Sequence, residues 1–127
     1  MANLDRPVLF LATAQPDRAR AFYEQSLGLT FVDDTPFALV FDVAGTQLRI
    51  QKLEQLAPAQ HTVLGWAVDD VHAAVRDLRA AGVEFLRFDG MAQDDAGVWK
   101  SPSGAQVAWF KDPDGNVLSL TESPASP

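Results

Sequence analysis

The chain repeats itself. Residues 63–82 (VLGWAVDDVHAAVRDLRAAG) run from an apolar stretch of Val63, Leu64, Trp66 and Val68 through Asp69 and Asp70 into a segment with helical spacing. The aspartates offer N-cap carboxylates to free backbone N–H groups, and Val71, Ala74, Val75, Leu78 and Ala81 share one helical face. Gly82 is the residue type that commonly ends a helix. Residues 8–28 (VLFLATAQPDRARAFYEQSLG) follow the same plan. Val8, Leu9, Phe10 and Leu11 form the strand, Pro16 suits a first helical turn, and Ala19, Phe22, Tyr23, Ser26 and Leu27 make the stripe before Gly28. The offset is 55 at the strands (63 − 8) and 54 at the glycines (82 − 28). Gly28-Leu29-Thr30-Phe31-Val32 then matches Gly82-Val83-Glu84-Phe85-Leu86, and residues 44–50 (AGTQLRI) match residues 114–120 (DGNVLSL) at an offset of 70 (114 − 44). This period is too long for a solenoid, so the chain reads as two βαβββ units that pair rather than stack.

A chain of 127 residues with 47% hydrophobic content can bury one domain's core, whereas a half of about 60 residues is marginal alone. The absence of cysteine excludes disulfides, thiolate metal sites and thiol nucleophiles. A formal charge of −7, with ten scattered Lys and Arg, argues against a nucleic-acid partner. No apolar run approaches the roughly 20 residues of a membrane span, so no membrane partner is expected. Residues 8–14 are shorter than a secretory apolar core, and Asp5 offsets Arg6 before them. A cytoplasmic protein is the expectation.

In order, strands are expected over about 8–13, 29–33, 37–43 and 46–52, with cap and helix over 15–28 and a tight hairpin at Ala44-Gly45. Residues 53–61 form a polar crossing. The second half should follow with a strand at 63–68, its helix, and a strand at 83–88. An acidic, glycine-bounded loop at 89–97 is the candidate lid. A strand begins at Val98-Trp99-Lys100, another spans 105–111, and Asp112-Pro113-Asp114-Gly115 turns into the last at 116–121. Residues 123–127 (SPASP) are expected to fray.

The paired modules, the Phe22-Tyr23 helix ending at Leu27-Gly28, the Val68-Asp69-Asp70 step and the Asp112-Pro113-Asp114-Gly115-Asn116 hairpin resemble the vicinal oxygen chelate superfamily. That group includes glyoxalase I, extradiol dioxygenases, fosfomycin-resistance transferases and bleomycin-binding proteins. The resemblance covers residues 7–122 and implies an α+β fold in which two βαβββ modules form a cupped mixed sheet with helices on the outer face. It further implies one domain over residues 1–127, with module 1 at 7–52, a linker at 53–61, module 2 at 62–122 and a tail at 123–127. Homodimers are common in the family, and a homodimer is expected by resemblance only.

In the metalloenzymes of this family a divalent metal takes ligands from the first and last strand of each module. Carried onto this chain, those positions are Val8 and Val63 on the first strands and Arg49 and Ser119 on the last. Valine has no lone pair to give, arginine cannot be deprotonated to bind a cation, and one serine hydroxyl is a poor anchor for a transition metal. No metal and no cofactor are therefore expected. His61 reads as an exposed residue at a strand start, and His72 as a solvent-facing residue off the apolar stripe of its helix.

Strand alternation places Leu9, Leu11, Leu48, Ile50, Leu64, Trp66, Leu118 and Leu120 beneath the helices. The cup is then lined by Val8, Phe10, Ala12, Val63, Gly65 and Ala67 from the first strands. The middle strands contribute Ala38, Val40, Gln106, Ala108 and Phe110, and the last strands Gln47, Arg49, Gln51, Ser119 and Thr121. The candidate ligand-binding residues are Arg49, Phe10, Gln47, Gln51, Trp99, Phe110 and Ser119, set in a mainly apolar hollow suited to a small organic ligand. Arg49 either holds a ligand carboxylate, phosphate or enolate through paired N–H bonds, or pairs with Asp42 diagonally across the hairpin. Phe10, Phe110 and Trp99 either stack on a flat ligand or simply pack.

Three functions fit this pattern. The leading one is a metal-free protein that sequesters a small organic molecule. The alternative is an enzyme of the family with an atypical or absent metal site, Arg49 stabilising an anionic intermediate. The third is a structural or interaction domain.

Overall fold

A computed structural model describes residues 2–124, so residues 125–127 of the expected frayed tail lie outside the described residues. The elements are β1 (Val8–Thr13), α1 (Pro16–Ala21), a π-helical turn (Phe22–Ser26), β2 (Thr30–Asp34), β3 (Ala38–Val43), β4 (Thr46–Lys52), β5 (Thr62–Ala67), α2 (Val71–Ala80), β6 (Trp99–Lys100), β7 (Gln106–Lys111) and β8 (Val117–Glu122). Two compact units divide between Ala57 and Pro58. Each carries one four-stranded mixed sheet, ordered β1-β4-β3-β2 in the first and β5-β8-β7-β6 in the second. This is the α+β architecture of two βαβββ modules.

In the first unit β1 runs parallel to β4, and β2, β3 and β4 are antiparallel neighbours. The β3–β4 turn is two residues long, with Ala44 at φ 49° and Gly45 at φ 92°. Positive φ at both central residues matches the right-handed twist of the flanking strands. Leu11, Leu39, Phe41, Leu48 and Ile50 are buried on the helix side of the sheet with Ala19 and Tyr23. Tyr23 meets Phe41 at 6.0 Å between ring centroids. Gln15 gives no side-chain cap to α1; its own N–H instead bonds the Thr13 hydroxyl at 3.0 Å. The helix ends in a wider turn, closed by Leu27 N–H to Phe22 C=O at 2.9 Å, rather than continuing as α to Gly28.

In the second unit Asp70 caps α2, accepting from Ala73 N–H at 3.0 Å, and Val71 and Val75 are buried beneath the helix. Glu122 adds a second carboxylate at the same helix end, 2.9 Å from Val71 N–H. The strand expected over 83–88 is reduced to a bridge between Phe85 and Phe110, with Leu86 N–H bonded to Trp109 C=O at 2.8 Å. The rest of that sheet edge is taken by β6. Between them the 89–97 segment is tied down rather than hinged like a lid. Gln93 accepts from Phe88 N–H at 2.7 Å and donates to Leu86 C=O at 3.0 Å and Gly97 C=O at 2.8 Å. Asp94 accepts from Ala96 and Val98 N–H, each at 2.9 Å.

One expectation about faces is corrected. Strand alternation in the sequence puts Gln106, Ala108 and Phe110 on the open face. The second hairpin closes at Asp112 N–H to Asn116 C=O, 3.0 Å, leaving three residues in its turn. Trp109, not Phe110, therefore faces Ser119, while Ala108 and Phe110 pair with Leu120 and Leu118. Phe110 is fully buried against Phe85 beneath α2 and offers nothing to a ligand. Strand side chains alternate faces, so a one-residue change of register moves the whole set.

Candidate functional site

The first sheet turns Val8, Phe10 and Ala12 of β1, Gln47, Arg49 and Gln51 of β4, and Ala38, Val40 and Asp42 of β3 away from its helix. The register sets Phe10 beside Arg49 and Arg49 opposite Val40, with Gln47 and Gln51 flanking Arg49 along β4. Phe10 is 56% exposed and Arg49 is half-buried. Ion pairs among the described residues join Arg20 to Glu24, Lys52 to Asp34 and His72 to Asp94, so the pairing of Arg49 with Asp42 does not form. A half-buried guanidinium without a carboxylate keeps its N–H fork available for a planar anion.

The second sheet presents a different row. Gly65, Ser119 and Trp109 lie side by side across β5, β8 and β7. Gly65 sits under a close approach, since a Cβ there would stand 2.6 Å from the Ser119 hydroxyl oxygen and 3.3 Å from the Ser119 carbonyl oxygen. Trp109 touches Trp99 at 6.1 Å and Phe88 edge-on at 5.4 Å, giving an aromatic wall. Trp99, expected in the site, is thus on the open face through its pairing with Val107. Trp109 escaped the sequence reading. The signal that could have found it is the extra residue in the Pro113-Asp114-Gly115 turn.

The four positions implied for a metal offer Val8 and Arg49 in the first unit and Val63 and Ser119 in the second. This donor set does not fit a divalent cation, because only Ser119 carries a side-chain lone pair that can reach one. Among the described residues no three His, Cys, Asp or Glu side chains gather where they could hold an ion. His61 is exposed just before β5. His72 does not face solvent alone, since its Nε2 lies 2.8 Å from the Asp94 carboxylate. Burial works against the ionised Asp94, but hydrogen bonds from His72 and from the Val98 and Ala96 N–H groups outweigh it and hold the carboxyl below its ordinary value. That contact ties the 89–97 loop to α2.

Comparison with known proteins follows the geometry. The family model described as Glyoxalase/Bleomycin resistance protein/Dioxygenase superfamily matches residues 5–120. A structure of TnmS3, an antibiotic binding protein from a Streptomyces species, superposes with a TM-score of 0.71 at 26% identity, covering 98% of this chain and 99% of that one. A putative glyoxalase family protein from Bacillus anthracis gives 0.69 at 17% identity, with 97% and 99% covered. A lactoylglutathione lyase from Agrobacterium tumefaciens gives 0.64 at 18% identity, with 95% of each chain covered. No curated protein sequence matches the chain.

Proposed function

Because the chain belongs to the glyoxalase/bleomycin resistance protein/dioxygenase superfamily, we propose that it binds a small organic molecule without a metal and sequesters it rather than transforming it. The observation that carries this reading is the Phe10–Arg49 pair on the open face of the first sheet, an exposed ring beside a guanidinium that no carboxylate neutralises. Phe10 supplies apolar surface, Arg49 a charged fork, and Gln47 and Gln51 neutral donors and acceptors on either side. The replaced metal positions support binding over Lewis-acid chemistry, and Asp42, diagonal to Arg49 across the hairpin, forms no ion pair with it. The likeness to an antibiotic binding protein over nearly the full length of both chains supports a holding role. Work as a cytoplasmic homodimer belongs to the same proposal and rests on the family resemblance. Light scattering on the purified protein tests the dimer.

The test is a screen of small organic acids, amines and neutral compounds by thermal shift and titration calorimetry, repeated on Arg49→Ala. Acidic hits are expected to lose affinity on the order of tenfold or more in the variant, as for a lost hydrogen-bonded charge, and neutral hits much less. Equal binding to both proteins removes Arg49 from the site. Stoichiometric nickel, zinc, iron or manganese in protein purified without added metal would replace this reading with a metalloenzyme.

A further inference from the structure

Beyond the Arg49 face, the second sheet carries an unassigned arrangement of its own. Its central row runs from Gly65, over which the Ser119 hydroxyl leans, to the indole of Trp109, with Trp99 and Phe88 extending the wall on either side. Ser119 is only 7% exposed, and its hydroxyl makes no hydrogen bond to any described residue. No fully buried polar side-chain atom among the described residues lacks a partner, so this oxygen keeps some access to solvent. A solvent-reachable hydroxyl beside an aromatic wall is a place for a flat ring bearing a polar group.

The same face leads into charge. One step along the strands Lys111 pairs with Val117, and both line a cleft of about 530 Å³ that Phe88, Arg87, Leu86 and Pro58 also border. Phe88 therefore belongs to both the wall and the cleft. No Asp or Glu lines the cleft, although the chain carries a net charge of −7. Arg87 is held in place by the C=O groups of Asp94 and Gln93 at 2.9 and 3.2 Å, and the Lys111 ammonium has no ion-pair partner among the described residues.

We infer that the open face of the second sheet binds a planar aromatic anion, its ring against Trp109 beside the Ser119 hydroxyl and its acidic group toward Lys111. This rests on the small-molecule reading above and narrows its ligand class. Trp109 sets the preference for flat rings, Ser119 donates to or accepts from a ring substituent, and Lys111 selects the sign of charge.

Three matched probes test it by calorimetry: naphthoate, naphthalene methanol and naphthylmethylammonium. Wild type is expected to bind naphthoate most tightly and the ammonium least. Trp109→Ala weakens naphthoate on the order of tenfold, and Trp109→Phe recovers part of the loss. Lys111→Ala, an exposed change that does not threaten folding, lowers the preference of naphthoate over the alcohol several-fold. Naphthoate binding that is indifferent to both Trp109→Ala and Lys111→Ala overturns the inference, as does tightest binding of the ammonium probe. If naphthoate fails while the wider screen yields other ligands, the inference falls and the sequestration reading stands. If no compound of any kind binds, both fall.

Discussion

Ala44 holds a left-handed backbone that only its partner Gly45 adopts without cost. Ala44→Asn is expected to stabilise the chain by about 1 kcal/mol, because Asn-Gly is the favoured pair in a two-residue hairpin turn. A higher urea midpoint with an unchanged slope checks this. Asp94 sets a pH dependence. Its folded-state pKa lies below the ordinary 3.8, so its contribution is fully present above that value and disappears as pH falls through the lower one. Wild type should therefore melt above Asp94→Asn at pH 6, and the gap should close under more acidic conditions. At this scale the sequence was readable where a turn was simple. Alternation puts Gln47, Arg49 and Gln51 on the open face, as their pairing with β3 has it, and puts Phe110 there too, although the register across the three-residue turn before β8 sets Trp109 in that place.

Among elements, α2 was the most legible, since Asp70, the Val71 and Val75 stripe and Gly82 each point to the same helix in local sequence. The second carboxylate at its start was not legible, because Glu122 arrives from β8, 51 residues away in the chain. β6 was only half visible. Trp99 and Lys100 read as a strand start, but nothing local reveals that 83–88 gives up most of its pairing to them. The β7–β8 turn yields an element-scale prediction. Asp112 is buried and accepts from Asp114 N–H, Asn116 N–H and the Asn116 side chain at 2.9, 2.9 and 2.8 Å. Asp112→Ala removes those three hydrogen bonds and should cost about 1–3 kcal/mol. The same change should loosen the register that aims Trp109 outward, seen as a weaker near-ultraviolet circular dichroism signal.

For the molecule as a whole, the two-copy plan could be read from the repeat, and the family from the repeat together with the Phe22-Tyr23 helix, the Val68-Asp69-Asp70 step and the Asp112–Asn116 hairpin. A ligand could not, because open-face side chains are under no packing rule that a one-dimensional pattern records. Binding is nonetheless measurable as stability. A compound held only by the folded chain at a hundred times its dissociation constant should add about 2.7 kcal/mol. Arg49→Ala should abolish most of that gain for acids engaging the first sheet, with little effect on the unliganded melting temperature. Trp109→Ala should lower that temperature through lost packing on Trp99 and Phe88 and abolish most of the gain measured from the lowered baseline.

The hydroxyl of Ser119 already occupies the space a Cβ on Gly65 would claim. These two positions are consequently coupled: the serine hydroxyl has to swing aside or be removed before position 65 can grow. Laboratory selection should therefore enrich replacements at 65 more readily in backgrounds already altered at 119.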